Sequence, residues 1–511
     1  MSLISLPFFL LTTATVLFYY ILPKRWQWII LLVSSLIFYA TYGLAQFIPM
    51  LLAAIAAYLA ARWIQEAYDA EEGGTAAERK ARSRGNLLFA VAVLVILLLY
   101  AKLGNWVLQG LAGLLSLDGN LMHAVVALGV SYYTFSLISY VADVYWRKDR
   151  AETNFLRLLL FVLYFPKILQ GPISRHKELA PQLAQPHKFD YREFCFGLQL
   201  MLWGYFKKMV IADRLAIFVN TVFGNASDAS GSHLLVAACF AALQVYCDFS
   251  GCMDIVGGLS QCLGVALEKN FNHPFFSKTA AEFWRRWHIT LGVWFKDYVY
   301  MPLVISPRLV KLSKRARERF GPRAGKTVMT VLPLLAVWLL TGLWHGTGWN
   351  YVTWGLYWGG IIICSTVFAP ELKKLTKTLH INTETGSWKI FQMVRTFLLF
   401  VLGRIITIPG DLGVSWKVLR NIAINFHVEN LVDGSLYTLG LDRPNFILAI
   451  VCIFVLWSAS MFQERGCVRE RLAGSNIVFR WSAYYLLFFS IIIFGIYGPG
   501  YDASSFVYMK F

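Results

Sequence analysis

Two histidines lie within aromatic segments of an otherwise charge-poor chain. His288 ends the run FWRRWH (residues 283–288), and His345 lies in GLWHG (residues 342–346). An ionisable side chain at bilayer depth is costly and usually faces a cavity. In a dry cavity, desolvation favours the neutral imidazole, which can accept a proton near physiological pH. Both histidines are therefore candidates for general-base chemistry.

The two histidines differ in how well their surroundings support catalysis. On pattern alone, His288 is more often a hydrogen-bonded structural histidine than a catalyst. The aromatic residues of 283–303 have the spacing of an amphipathic interfacial helix, with their rings on one face. His345 is the stronger candidate, because its flanks are apolar and Gly342 and Gly346 let other backbone approach closely.

Charged residues near these histidines suggest binding roles. Arg285 and Arg286 could clamp a phosphorylated donor, because guanidinium pairs with phosphate bidentately. Asp248 and Asp254 lie in VYCDFSGCMDIVGG, where Ser250-Gly251 predicts an interrupted helix with the two acids on different faces. These acids could orient a histidine or pair with an arginine. A buried acid satisfied by backbone amides or a cation is an equally good interpretation.

Several standard site patterns are missing from the sequence. There is no Gly-x-Ser-x-Gly or His-Glu-x-x-His motif, and the eight cysteines show no Cys-x-x-Cys spacing. We therefore expect buried thiols, with no metal site and no disulfide framework.

Composition defines the elements that must position these residues. The chain has 511 residues, 57% of them hydrophobic and 15% charged, which is typical of an all-α polytopic membrane protein. Predicted apolar segments lie at about 6–22, 27–42, 46–64, 87–101, 122–142, 155–170, 195–223, 233–267, 328–344, 350–368, 389–409, 445–463 and 478–497. The first reads as a retained anchor, not a signal peptide. Segments 155–170, 195–223 and 233–267 contain charges or Gly-Pro, which predicts re-entrant or broken helices lining a cavity.

The net charge of +18 has a topological explanation. The basic residues fall in short loops, as the positive-inside pattern requires, so nucleic acid is not an expected partner. The basic stretch 307–326 should be cytoplasmic, and 328–344 then runs outward toward His345. We find no composition break and expect a single domain over 1–511, with a possible cytoplasmic basic insertion at 304–326.

Five stretches carry a resemblance to a known family. They read SYYTFSLISYVADVYW (131–146), FPKILQGPISR (165–175), YCDFSGCMDIVGGL (246–259), NFNHPFFSKTAAEFWRRWHITLGVWFKDYVYMPL (270–303) and LTGLWHGTGWNYVTWGLYWG (340–359). In this order they resemble the membrane-bound O-acyltransferases, in the branch with alginate O-acetyltransferase and teichoic-acid D-alanyl transferase. The basic stretch after Leu303 and the segment LGRIITIPG (402–410) depart from the family pattern and leave the acceptor open.

The resemblance implies a fold and a set of roles. The fold would be a ring of tilted transmembrane helices, with re-entrant and interfacial helices around a central tunnel. His345 would be the catalytic base, and His288 a second catalytic position on the donor side. The implied substrate-binding residues are Trp284, Arg285, Arg286, Trp287, Trp344, Asp248 and Asp254.

The expected reaction is acyl transfer across the cytoplasmic membrane. The donor would be a cytoplasmic thioester, most readily acetyl-CoA, and no bound cofactor is expected. The acceptor would be a hydroxyl of an extracellular polysaccharide or cell-wall polymer, reached directly or through an extracytoplasmic esterase-like or acetyltransferase partner. D-alanyl transfer from a carrier-protein thioester is the main alternative. A transporter or flippase, or a membrane scaffold for polysaccharide export, is a further one.

Overall fold

The computed structural model describes residues 1–70, 75–114 and 128–498, and this part of the chain is helical without a β-strand. Within it, seven helices are long and apolar enough to cross a membrane. A further pair, Trp349–Val367 and Ala369–Thr378, meets the same test together but is bent by 66°. The chain is thus an all-α, multi-pass membrane protein. Parts of the predicted segments 6–22 and 27–42 form helices shorter than a span.

The chain divides into two compact units, of which the first contains Met1–Gly204 and Cys252–Glu268. Its helices are α1 (Leu6–Ile21), α2 (Gln27–Ala40), α3 (Phe47–Asp69), α4 (Ala76–Leu114), α5 (Val130–Tyr145), α6 (Phe155–Leu163), α7 (His176–Ala184) and α8 (Tyr191–Tyr205). Helix α3 packs against α4 and α5. Its buried face is mostly alanine at helical spacing, including Ala53, Ala57 and Ala60, which lets neighbouring backbones approach closely.

The second unit contains Tyr205–Gly251 and Lys269–Tyr501. Its helices are α9 (Asp213–Gly224), α10 (Gly231–Cys262), α11 (Ala280–Arg286), α12 (Ile289–Phe295), α13 (Met301–Val304), α14 (Pro307–Phe320), α15 (Pro322–His345), α16 (Trp349–Val367), α17 (Ala369–Thr378), α18 (Gly386–Thr407), α19 (Leu412–Ile424), α20 (Arg443–Glu464), α21 (Val468–Ala473) and α22 (Ile477–Phe494). Helix α10 continues from this unit into the first. The single-domain expectation stays a prediction.

Of the three irregular segments, one is interrupted in the structure and two are continuous helices. Helix α6 ends at Leu163, and residues 164–175 continue as buried, irregular backbone, while the predicted cavity beside them stays a prediction. Segment 195–223 is helical throughout, because its charged middle (Phe206–Ala212) is accommodated as a π-helical turn. Segment 233–267 was expected to break at Ser250-Gly251, but α10 runs through both residues. Tertiary packing outweighs the low helix propensity of one serine and one glycine.

The predicted continuous helix over 283–303 is also wrong. Helix α11 ends at Arg286, α12 starts at Ile289, and a π-helical segment (Lys296–Tyr300) follows. His288, between α11 and α12, has φ 45° and ψ 53°, which is the left-handed region. The aromatic residues of this segment therefore do not share one continuous helical face.

Candidate active site

His288 is held by a short exchange of backbone hydrogen bonds between residues 270–272 and 286–289. The N–H of Asn272 donates to the carbonyl of Arg286 at 2.9 Å, and that of Ile289 donates to the carbonyl of Asn270 at 3.0 Å. Helix α11 is fixed at its start by Thr279, whose hydroxyl accepts from the N–H of Glu282 at 3.1 Å. These contacts bring the chain out of α11 at a defined angle and hold His288 in its left-handed conformation.

The side chain of Asn270 determines the tautomer of His288. Its Oδ1 accepts from the N–H and the hydroxyl of Thr290, at 3.1 and 2.7 Å. An atom that accepts from an amide N–H is the oxygen of the asparagine, not its nitrogen. His288 Nδ1 lies 3.4 Å from the same oxygen and must therefore carry a hydrogen to bond with it. The basic lone pair of the neutral imidazole is consequently on Nε2.

His288 is 3% exposed and lies outside the candidate membrane spans. The ring of Phe249 contacts the imidazole edge to face, with centroids 4.8 Å apart. Burial lowers the pKa of His288 to about 3, because the imidazolium would lose its hydration. His288 is therefore neutral at physiological pH.

His345 is positioned by a helix end. It is the last residue of α15, is 7% exposed, and lies between the rings of Trp344 and Trp354, at centroid distances of 4.8 and 4.9 Å. The next residue, Gly346, is required by space. A Cβ there would lie 2.2 Å from the ring of Tyr351.

Helices α15 and α16 form the hairpin that carries His345, and glycines let them meet closely. A Cβ on Gly342 would lie 2.5 Å from the carbonyl oxygen of Tyr351, and one on Gly355 would lie 2.5 Å from that of Trp338. Larger side chains would force the two helices apart. The glycines of the Trp-His motif thus serve the helix crossing, and the expected access to His345 stays a prediction.

Trp344 brings the two histidines into one site. Its ring lies 5.9 Å from the His288 ring and 4.8 Å from the His345 ring, between centroids. On the other side of His345, Trp354 contacts Trp284 at 5.5 Å. The second unit therefore holds two buried imidazoles within one aromatic cluster, which can exclude water around a proton-transfer reaction.

Trp284, in α11, and Trp287, directly after α11, belong to the packed core around this site. Trp284 contacts the rings of Trp338, Trp354 and Trp358 at 5.0 to 5.5 Å. Trp287 is 3% exposed and lies 4.8 Å from the ring of Phe400. They form the aromatic surroundings of the histidines. Their predicted contact with a donor stays a prediction.

The structure separates the two arginines that were predicted to act together. Arg286 forms ion pairs with Glu282, at 3.0 Å, and with Glu464. Arg285 is exposed. The guanidinium of Arg286 is engaged within the protein, so Arg285 is the better candidate for contacting a phosphorylated donor. That role stays a prediction for both.

Asp248 pairs with a lysine. Lys208 Nζ lies 2.7 Å from Asp248 and 2.8 Å from Asp213, and all three side chains are at most 8% exposed. The neighbouring Lys207 donates to the hydroxyl of Ser250 at 2.9 Å. The π-helical turn thus fixes α10 on both sides of Phe249, the residue that contacts His288.

Some residues of this site were not identified from the sequence as site residues. The Lys207-Lys208 pair and Asp213 were noted only as interruptions of an apolar segment, and Asn270 only as part of a motif. Charges within an apolar segment were the signal for the lysines, since such charges must find partners. Asp254 is half-buried on the continuation of α10 in the first unit.

No group of three or more His, Cys, Asp or Glu residues within the described ranges has the arrangement of a metal site. The eight cysteines are free thiols, four of them buried. The groups with evident chemistry in the second unit are thus the two imidazoles and the charged residues around them.

The fold and the site define a multi-pass membrane protein with paired buried histidines, and sequence comparisons identify its family. The model of the membrane-bound O-acyltransferase family matches residues 147–317. A probable alginate O-acetylase of Pseudomonas syringae pv. tomato is 31% identical over 83% of this chain and 72% of its own length. The chain belongs to the membrane-bound O-acyltransferase family and is an acyltransferase.

Two other relatives differ in the reaction that their names give. A peptidoglycan O-acetyltransferase of Helicobacter pylori is 27% identical over 78% of this chain and 73% of its own length. A teichoic acid D-alanyltransferase of Bacillus subtilis is 28% identical over 48% of this chain and 60% of its own length. With an acyltransferase identified, the transporter and scaffold alternatives are set aside.

Proposed function

We propose that this acyltransferase transfers an acetyl group from a cytoplasmic thioester, acetyl-CoA, to a hydroxyl of an extracytoplasmic polysaccharide or cell-wall polymer. The relatives similar over most of the chain are named as O-acetylating enzymes, and the teichoic acid relative is similar over about half of it. That difference in coverage favours acetyl transfer over D-alanyl transfer as the reaction of this chain. The protein would act in the cytoplasmic membrane, with transfer direct or through an extracytoplasmic partner.

The proposed mechanism uses His345 as a general base. A nitrogen of the neutral imidazole takes the proton of the acceptor hydroxyl as its oxygen attacks the thioester carbonyl. The carbon–oxygen bond forms, the carbon–sulfur bond breaks, and the imidazolium returns the proton to the leaving thiolate. The supporting observation is that His345 ends α15, buried between two indole rings in a site that also holds His288.

We assign His288 to the donor side, in shaping or orienting the thioester. Its Nδ1 contacts Asn270, so the basic lone pair of the neutral ring lies on Nε2. Arg285 would contact the donor phosphates from its exposed position. Asp248, paired with Lys208, would support the site through α10 without touching a substrate.

A single comparison tests the proposal. Membranes containing the wild-type chain, its His345→Ala variant or a matched His380→Ala control are supplied with acetyl-labelled CoA and the host's surface polymer, and labelled polymer is quantified. His380 lies on an exposed turn after α17 and should be dispensable. We expect transfer by wild type and control, and loss in His345→Ala. Equal transfer by all three would refute the role of His345.

The donor is tested in the same membranes. If acetyl-CoA gives no labelled polymer but a D-alanyl carrier-protein thioester does, the acetyl assignment fails and the D-alanyl alternative is correct. If neither thioester supports transfer until an extracytoplasmic fraction is added, transfer requires a relay partner.

A further inference from the structure

Helices α14 and α17 are two basic amphipathic helices that the proposed chemistry does not use. Helix α14 carries Arg308, Lys311, Lys314, Arg315, Arg317 and Arg319 against one acid, Glu318. Helix α17 carries Lys373, Lys374 and Lys377 against Glu371. All of these cationic side chains are exposed. The two helices therefore present a concentrated positive charge to their surroundings.

Helix α14 lies beside the first turns of α15, which fixes its depth. The hydroxyl of Ser313 donates to the carbonyl of Gly325 at 2.9 Å, and Leu309 is buried. Helix α15 changes from polar to continuously apolar just beyond this point, at Val328. In a chain that spans a membrane, this change marks the level of the lipid headgroups. The cations of α14 lie at that level.

Three of the cations of α14 lie on the side of the helix opposite its packed residues. Arg308, Lys311 and Arg315 have the i, i+3, i+7 spacing of one helical face. At 100° per residue that face points away from Leu309 and Ser313, which meet α15. The positive face is therefore directed outward.

Helix α17 belongs to the same surface. Arg323, at the start of α15, forms an ion pair with Glu371 at 2.5 Å. The bend of 66° between α16 and α17 turns α17 away from the direction of its span. The same end of the α15–α16 hairpin thus carries both basic helices.

Large apolar side chains lie exposed among these cations. They are Val310 (49% exposed), Leu312 (44%) and Phe320 (70%) on α14, Leu372 (49%) and Leu375 (53%) on α17, and Leu379 (59%) directly after α17. Cations interleaved with exposed apolar residues are typical of helices that lie in a membrane interface. An acidic soluble protein would match the charge alone, whereas an anionic lipid matches the charge with its headgroup and the apolar side chains with its acyl chains.

We propose that α14 and α17 form a binding surface for anionic phospholipids. The headgroup phosphates pair with Arg308, Lys311 and Arg315 and with the lysines of α17. The acyl chains contact the exposed leucines. This inference does not depend on which acyl group or acceptor the enzyme uses.

The test compares lipid binding by full-length protein variants in detergent. Phosphatidylglycerol and phosphatidylcholine are titrated separately, and bound lipids are counted by native mass spectrometry. The variant Arg308→Gln/Lys311→Gln/Arg315→Gln removes the positive face. The control Lys417→Gln/Arg420→Gln/Arg443→Gln removes three exposed cations on α19 and α20. The charge-preserving pair Arg308→Lys/Arg315→Lys separates loss of charge from loss of folding.

The expected result is specific to one lipid and one variant. A basic residue near an anionic surface contributes about 1 kcal/mol, or about fivefold in affinity, so losing two or three contacts should weaken phosphatidylglycerol binding by on the order of 10- to 100-fold. Phosphatidylcholine binding should be the same in all variants. Phosphatidylglycerol binding by the control triple variant and by the charge-preserving variant Arg308→Lys/Arg315→Lys should equal that of the wild type. Equal loss in the control triple variant, or no preference of the wild type for phosphatidylglycerol, overturns the proposal.

The alternative ligand of this surface is an acidic carrier protein, and a second experiment tests for it. The variants are placed in lipid discs without anionic lipid, and binding of an acidic acyl carrier protein is measured. If the triple variant loses the carrier protein while its phosphatidylglycerol binding equals that of wild type, the surface is a protein-docking site and the lipid proposal is wrong.

Discussion

The two histidines are both buried but are held in different ways, one by hydrogen bonds and a strained backbone and the other by aromatic packing at a helix end. His288 is held by a left-handed backbone conformation, by Asn270 and by a pair of backbone hydrogen bonds. His345 lies at a helix end between aromatic rings, followed by a glycine that the Tyr351 ring requires. A polar network fixes one tautomer and orientation, whereas close packing between aromatic rings at a helix end fixes the position of the side chain by shape.

This contrast bears on how a membrane enzyme can place a base in an apolar region. The contact with Asn270 orients the Nδ1 side of His288, and burial keeps the imidazole neutral. The rings that contact His345 are the indoles of Trp344 and Trp354. Trp344 contacts both rings, so a change at one histidine can be sensed at the other.

The largest expected effect comes from removing each histidine in turn. His345→Ala should reduce the turnover number about 10²- to 10⁴-fold, which is the contribution of a general base. His288→Ala should act mainly on the Michaelis constant for the thioester. Steady-state kinetics with acetyl-CoA in detergent separates the two parameters. If His288→Ala lowers turnover more than His345→Ala does, the roles are reversed.

The substitution Asn270→Ala should have the next largest effect, on the stability of the protein. It removes the oxygen that accepts from Thr290 twice and orients His288. A buried donor left unsatisfied costs about 1–3 kcal/mol, so we expect the free energy of unfolding to fall by about 3 kcal/mol. Thermal unfolding in detergent measures the loss. Asn270→Leu keeps the volume of the side chain without its oxygen and is the matched control, and an unchanged stability in Asn270→Leu would mean that packing, not hydrogen bonding, matters there.

The pH dependence of stability should report the burial of His288. The pKa of His288 is lowered from its usual value near 6.5 to about 3 in the folded protein. The unfolded chain therefore binds more protons between these values, and stability is full above about pH 6.5 and falls as the pH drops. The loss from His288 should be about 2 kcal/mol at pH 5, at 1.36 kcal/mol per pH unit.

Unfolding midpoints at pH 7.5 and pH 5 in the wild type and in His288→Gln check this expectation. The variant should show a smaller decrease at pH 5. An unchanged decrease would mean that His288 is not the group responsible.

The smallest effects should come from the two arginines beside His288. Arg286→Gln breaks the ion pairs with Glu282 and Glu464 and should lower stability by about 0.5–1 kcal/mol, without changing the Michaelis constant for the thioester. Arg285→Gln should do the opposite, with a rise of about threefold to tenfold in that constant if it contacts donor phosphate. The same kinetic and unfolding measurements apply. If Arg286→Gln raises the Michaelis constant for the thioester as much as Arg285→Gln does, the two arginines contact the donor together, as the sequence predicted.

Much of the architecture could be predicted from the sequence because it depends on local composition. Runs of apolar residues fix membrane spans regardless of their neighbours, since backbone groups in lipid must be satisfied within the helix. The interruption of segment 155–170 was predicted from Lys167 and the Gly171-Pro172 pair. The break at Ser250-Gly251 and the continuous helix over 283–303 were wrong, because contacts with distant residues decided both.

The site divides in the same way. The sequence by itself determined an all-α membrane protein, the family and the two Trp-His motifs, because residue type and spacing carry these properties. Only the tertiary structure decided that Trp344 lies between two imidazoles, that Asn270 fixes the tautomer of His288 and that Asp248 pairs with Lys208. The physical reason is that a buried polar atom must find its partner wherever the fold brings one, and that distance in space is not written in local sequence.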